Sequence, residues 1–498
     1  MKKICSIILI LCICLCLFGC NGCVGCKDAD ETTATELALQ EENKTLKLHC
    51  YNLTNLNPLD NSNSENMQVL NLIFESLFMC DTTQKAQPVL ADKYSVSSDG
   101  LNWTITLKNN IKWHDGTNFN ANDVVFTYNY VLENETSYFR KNVSNIKSVA
   151  YASEYEVKFT LNAPQANFVN LLEVPIVKAN TNGSATIGTG PYAYQKTENK
   201  IIYLSANESW HKGDVNIKNI HVKILPDSET ATYAYVSKEI DMVSANSGND
   251  MGKYTSNSDN AITDYTSNKF TFIGINVSSE PLSNRLFRKA IAHSIDKNAI
   301  NSQVLLSHGS VANSCMNSAW WVYNPAVTTY AYSKDKAVNV LNEVKKTMKL
   351  SEITLLVNNE NPDKERVAEI IRQNLEDCGI TMNIECVDWY TYTDRVATGN
   401  YQMYLGTIEY SSEINPAYVI TNPGPELQSL FINLQSQTTE EGVKKKYYEI
   451  QEKIAIDIHI IPLYFDVGAI LYNKRIQGEA TPYRSSIFNG IANLTLTE

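Results

Sequence analysis

The sequence predicts an α/β protein of several domains. Three observations carry this. The chain has 498 residues, at roughly 100–200 residues per domain. Its apolar residues switch repeatedly between a period of two and a period near 3.6. Gly, Pro and Asn punctuation separates the two kinds of segment. A hydrophobic content of 43% with 19% charged residues belongs to a folded chain, not a disordered one.

The folded part opens with LKLHCYN, an alternating strand, and a loop around Pro58. Met67, Leu70, Ile73, Phe74 and Leu77 then recur at helical spacing. In KYSVSSDGLNWTITLK, Asp99-Gly100 separates two alternating runs, which predicts a hairpin. Trp103, Ile105 and Leu107 share its apolar face. His114-Asp115-Gly116 is a turn, and NANDVVF opens a helix with Asn120 as N-cap and Asp123 in its first turn. EYEVKFTL, IIYLSANESW and NIHVKIL read as strands, and Thr186–Tyr192 as a tight turn. KFTFIGINV is a strand, followed by a helix over 281–296. KDKAVNVLNEVKKTMK is amphipathic. NPDKERVAEIIRQNLEDCG carries Asn361 at N-cap, Pro362 at N1 and a closing Gly379, between the strands ITLLVNN and ITMNIECV. This strand–helix–strand repetition supports α/β lobes.

The net charge is −12, and an acidic chain without a basic, aromatic-rich patch argues against nucleic acid as a partner. Residues 1–19 pair Lys2-Lys3 with an apolar run too short to span a bilayer, as a secretory signal does. Leu17-Phe18-Gly19-Cys20 resembles a bacterial lipobox, which implies lipidation of Cys20 and anchoring to the membrane. Residues 20–45 read as a flexible tether. Four cysteines fall in the leader, and Cys20, Cys23 and Cys26 have a metal-like spacing but a tether-like context. Cys50, Cys80, Cys315, Cys378 and Cys386 are scattered, and no disulfide is assignable from sequence. The seven histidines form no metal-ligand spacing, so no protein metal site and no cofactor are expected.

Several stretches, in order, resemble the extracytoplasmic solute-binding proteins of ABC importers, in the family of oligopeptide-, dipeptide- and nickel-binding receptors. They are NPLDNSNSENMQVLNLIFESLF, DGLNWTITLKNNIKWHDGTNFNANDVVFTY, GTGPY, KEIDM, PLSNRLFRKAIAHSID, VDWYTYTDR and PLYF. The resemblance spans about residue 46 to the C-terminus. It implies a two-lobed periplasmic-binding-protein-like fold with a hinge and an additional third domain. One lobe gathers 46–74, 180–272 and 476–498. The extra domain is 75–179, and the second lobe is 273–475. Residues 269–276 and 469–475 are the candidate hinge strands.

The resemblance also implies a ligand in the interlobe cleft. Trp389 falls at the family's aromatic wall, with Tyr392 on the same segment; a core position is the alternative for Trp389. The stretch 404–418 aligns with a loop often reading G-W-x-x-D then D-P, whose acid pairs with a peptide's amino group. Thr407 stands at its tryptophan, and Glu409 is the nearest acid, with Tyr410 beside it. Trp321 is a candidate cleft floor, with core packing as the equal alternative. Asn276 is a candidate ligand hydrogen-bonding group, or a turn residue.

The implied function is a lipid-anchored, monomeric receptor that delivers a solute to ABC permease subunits. A short peptide is the first expectation; a nickel chelate, an oligosaccharide or a signal molecule for sensing are alternatives. An extracytoplasmic hydrolase using His114, Asp115 and Asp123 is the remote competitor, because no nucleophile or zinc motif accompanies them.

Overall fold

The computed structural model describes residues 43–181, 185–245, 260–483 and 486–497. The leader, Cys20 and nearly all of the tether lie outside these residues.

Three sheets organise the chain. In the first, strand Thr45–Tyr51 pairs in parallel with Asn219–Leu225, which is followed by Ile201–Ala206 and Tyr192–Glu198. The second contains Ala91–Val96, Asn102–Leu107, Glu156–Leu161 and Ile146–Ser153, all antiparallel. Its first two strands are the expected hairpin, and Gly100 takes φ of +72° in the turn. The third sheet runs in the order Met242–Ala245, Ile460–Asn473, Asn260–Ile275, Met403–Glu409, Ile353–Asn358 and Met382–Val387. The last two strands are parallel to each other.

The packing divides differently from the sheets. One continuous apolar core joins the first and second sheets, from Leu46 to Val222 and on to Ile476 and Leu494. Phe74, Leu77 and Phe78 lie within it, as do Val174 to Val177, so the expected boundaries near 75 and 179 are crossed by packed side chains. A buried carboxylate reinforces this junction. Glu75 accepts hydrogen bonds from His211 Nε2 at 2.9 Å and Thr189 Oγ1 at 3.1 Å, and pairs with Lys212 at 2.9 Å. Gly188 and Gly190 let the next loop lie directly on the backbone of Ile73; a Cβ on Gly188 would fall 1.8 Å from its carbonyl oxygen. The loop before the helix Ala121–Glu133 docks there too, since His114 Nδ1 accepts from the Gly188 N–H at 3.1 Å.

The other body holds two cores, one on each side of the third sheet. Among the described residues, two long strands run from one body into the other. Asn260–Thr266 pairs with Val467–Asn473 beside the first body, and Phe270–Gly274 pairs with Ile460–Phe465 inside the second, with the ladder broken between Thr266 and Phe270. Arg475, just past this pair, grips Asp241 with two hydrogen bonds of 2.8 and 2.6 Å. No described helix is long and apolar enough to cross a membrane.

Candidate functional site

The parallel strands Ile353–Asn358 and Met382–Val387 end side by side. In open α/β sheets the crevice outside the carboxyl ends of the strands is where ligands bind. Two helices start there. Asp388 caps the helix Trp389–Thr398 by accepting the Thr391 N–H at 3.0 Å, which places Trp389 in its first turn. Trp389 is 51% exposed and stacks on Tyr392 with centroids 5.7 Å apart and planes 20° apart. Asn361 caps the helix Pro362–Asp377, and Lys364 in its first turn carries its ammonium 5.8 Å from the Tyr392 ring. Burial, then repulsion from Lys269, lowers Lys364 to a pKa of about 8, against a smaller opposing pull from Asp466.

The floor beside Lys364 comes from the third sheet. Lys269 pairs with Asp466 at 2.9 Å and lies opposite Glu409 in register. Thr271 and Thr407 face each other with hydroxyls 3.0 Å apart. An aromatic wall, a partly desolvated ammonium and the Thr407 hydroxyl thus share one edge. This arrangement suits a solute with an apolar part and an anionic end.

The first body carries a hollow of its own. A polar hollow of about 670 Å³ is lined by residues 51–55, 60–66 and 226–228. Tyr265, on the crossing strand, links the hollow to the sheet edge: burial first, then the carboxylates of Glu65 and Glu409, push its phenol up to about 12. Burial likewise raises Glu65 itself.

A second set of contacts joins the bodies beside this site. The Trp321 N–H donates to the Thr83 carbonyl at 3.0 Å. Asn268, at the break in the crossing strand, donates to Gln84 Oε1 at 3.1 Å. Asn170 Nδ2 donates to the carbonyls of Gln84 and Ser412 at 3.0 and 2.9 Å. Asn167 Nδ2 donates to Tyr447 Oη at 2.7 Å and the Glu413 carbonyl at 3.2 Å, and the Ser412 hydroxyl donates to Glu173.

The expected site residues separate into three groups. Trp389, Tyr392 and Glu409 lie around the sheet edge, although Tyr392 is nearly buried and its hydroxyl donates to the Leu405 carbonyl at 2.9 Å. Trp321 lies in the contact with Thr83, and Lys85 sits 5.9 Å above its ring. Two residues fall elsewhere. Tyr410 is fully buried, edge-on to Trp320 at 5.3 Å, and its hydroxyl donates to the Cys315 carbonyl at 2.8 Å. It packs the core and presents no surface to a ligand. Asn276 lies about seven residues, roughly 20 Å, along its strand from the Glu409 end. Its side chain is used in a turn, donating to the carbonyls of Gly399 and Tyr401 and accepting from the Ser278 N–H.

Setting Gly406 on the glycine of G-W-x-x-D puts Tyr410, not Glu409, at the position of the acid. Neighbouring side chains on a strand point to opposite faces, so Glu409 does not substitute for it in place. Lys364, Lys269 and Asp466 are the site residues that sequence reasoning missed. Lys269 had a signal, since it alternates with Phe270 on the run already assigned as a strand. His114 and Asp115 are scaffold: Asp115 accepts from Thr117 at 3.1 Å and pairs with Lys178. Asp123 accepts from the Asn120 and Ala179 N–H groups at 3.0 and 2.8 Å.

The model of the bacterial extracellular solute-binding proteins, family 5 (middle region), matches residues 85–423. The chain belongs to this family. It is 24% identical over 483 residues to heme-binding protein A of Haemophilus influenzae, covering 86% of this chain and 88% of that one. Oligopeptide-binding protein AppA of Bacillus subtilis is 23% identical over 530 residues, covering 97% of this chain and 96% of that one. The structure of HbpA2 from Haemophilus parasuis superposes with a TM-score of 0.79 at 21% identity, covering 91% of this chain and all of that one. The family-5 protein described here is therefore an extracytoplasmic solute-binding receptor of the ABC-importer class and not an enzyme.

Proposed function

We propose that this receptor captures a short peptide between the sheet edge at Trp389 and the hollow at 60–66, and delivers it to an ABC import permease. The observation that carries the reading is the Lys364 ammonium beside the Trp389–Tyr392 stack, on the sheet edge whose Glu409 and the hollow's Glu65 both act on Tyr265. A peptide's terminal carboxylate would neutralise Lys364, its backbone would meet the Thr407 hydroxyl, and an apolar side chain would cover Trp389. Contacts made to both bodies at once favour the arrangement in which they approach, and the break at Thr266–Phe270 is the flexing point. The receptor acts as a monomer, held at the extracytoplasmic face of the cell membrane through lipid on Cys20.

Tyr410 favours a second reading. Without a carboxylate at that position, a solute lacking a free amino group, such as a chelate or an oligosaccharide, fits the same edge.

Mass spectrometry of solute co-purifying with the receptor, paired with thermal shift against di- to pentapeptide pools, tests both. A ligand at 100 times its Kd stabilises by about 2.7 kcal/mol, enough to raise Tm measurably. Stabilisation by free-acid peptides, reduced for C-terminally amidated ones, supports the first reading. No response to any peptide pool, with a non-peptide solute recovered, overturns it in favour of the second.

A further inference from the structure

We propose that segment 75–179 serves as a polar latch, which holds the second body against the first and so sets how readily the cleft closes on a solute. The consequence for capture rests on the function proposed above; the latch itself does not depend on which solute is bound.

The two sides of this segment differ in kind. Toward the first body it shares an apolar core, whose separation would expose large hydrocarbon surface. Toward the second body its buried contacts are mostly hydrogen bonds, from Gln84, Asn167, Asn170 and Glu173. Water can replace hydrogen bonds when such a surface parts, so each adds only modestly to its net strength. The contact also leaves Trp321 Nε1 and Asn268 Oδ1 buried without a partner among the described residues. Parting would let both be hydrated, which lowers the cost of opening. Asn268 sits where the crossing strand loses its pairing. Seam and flexing point are therefore tied through one side chain.

The side-chain hydrogen bonds of Asn167 and Ser412 cross the seam, so they can be removed with little disturbance inside either body. The test is hydrogen–deuterium exchange and small-angle scattering on the unliganded receptor, comparing wild type with Asn167→Ala/Ser412→Ala. About tenfold faster exchange of the Trp321 amide and a larger radius of gyration, with an unchanged circular dichroism spectrum, are expected. Unchanged exchange and radius overturn the latch. If the double variant fails to fold, Ser412→Ala alone, which removes the hydroxyl that bonds across the seam to Glu173, is read the same way. Neither readout involves a solute, so a failed latch and a failed peptide assignment are separately visible.

Discussion

Segment 75–179 has two neighbours and holds them by opposite means. Its junction with the first body is a continuous hydrophobic core around Phe74, Leu77 and Phe78, stapled by the buried Glu75 cluster. Its junction with the second body is a seam of amides, a hydroxyl and a carboxylate. Apolar burial is strong and not replaceable by water, whereas hydrogen bonds exchange with it. We propose from this difference that the first two sheets travel together, and that the part of the third sheet inside the second body moves against them about the two crossing strands.

The largest effect is expected at the apolar junction. Phe74→Ala should cost about 3–5 kcal/mol in urea unfolding, because the side chain is fully enclosed. A cost near zero would mean that the two sheets do not share a core. Next comes the staple. Burial alone would raise the pKa of Glu75, but its hydrogen bond with His211 and the charge of Lys212 outweigh this and hold it at about 2. The folded pKa lies below the ordinary carboxylate value. The stabilisation is therefore fully present above about pH 5 and lost as pH falls toward 2. Glu75→Gln should flatten that acid limb of the stability profile; an unchanged limb would place the titration elsewhere. Smallest is the seam, where Asn167→Ala, which removes two hydrogen bonds across it, should cost about 1–2 kcal/mol. A cost of 3 kcal/mol there would erase the contrast between the two junctions.

Much of this architecture was legible in the residues, for physical reasons that also mark where legibility ended. The Asp99-Gly100 hairpin and the helix from Asn361 to Gly379 are local signals: a turn that needs positive φ, a cap, a periodic face. Trp389 was legible as a cleft candidate through the family pattern, and it is exposed at a strand's carboxyl end. Tyr410 and Glu409 show the limit, because one step along a strand exchanges core for surface and no local signal near 409–410 fixes which residue faces in. Lys364 was not legible at all. Its environment comes from Tyr392, Lys269 and Asp466, on elements brought together only by the sheet order. The polar seam was equally hidden, since asparagines at 167 and 170 read as loop residues until Ser412 and Tyr447 are placed opposite them.

The pH dependence of capture sharpens the comparison from the side of the site. Lys364 is protonated below its pKa of about 8 and loses its charge above it. A carboxylate ligand prefers the charged form, so affinity should be level below about pH 8 and fall by up to tenfold per pH unit above it. Lys364→Met should remove that slope, and calorimetric titration with a free-acid peptide selected by thermal shift would show it.

The central claim is that solute meets the receptor at the edge formed by Trp389 and Lys364. Isothermal titration of the same peptide into Trp389→Ala tests it most directly, with Tm measured alongside. Trp389 is half exposed, so its loss should leave Tm within about 2 °C of wild type while weakening binding at least tenfold. Unchanged affinity in a folded Trp389→Ala protein would contradict the account and move the site away from this edge.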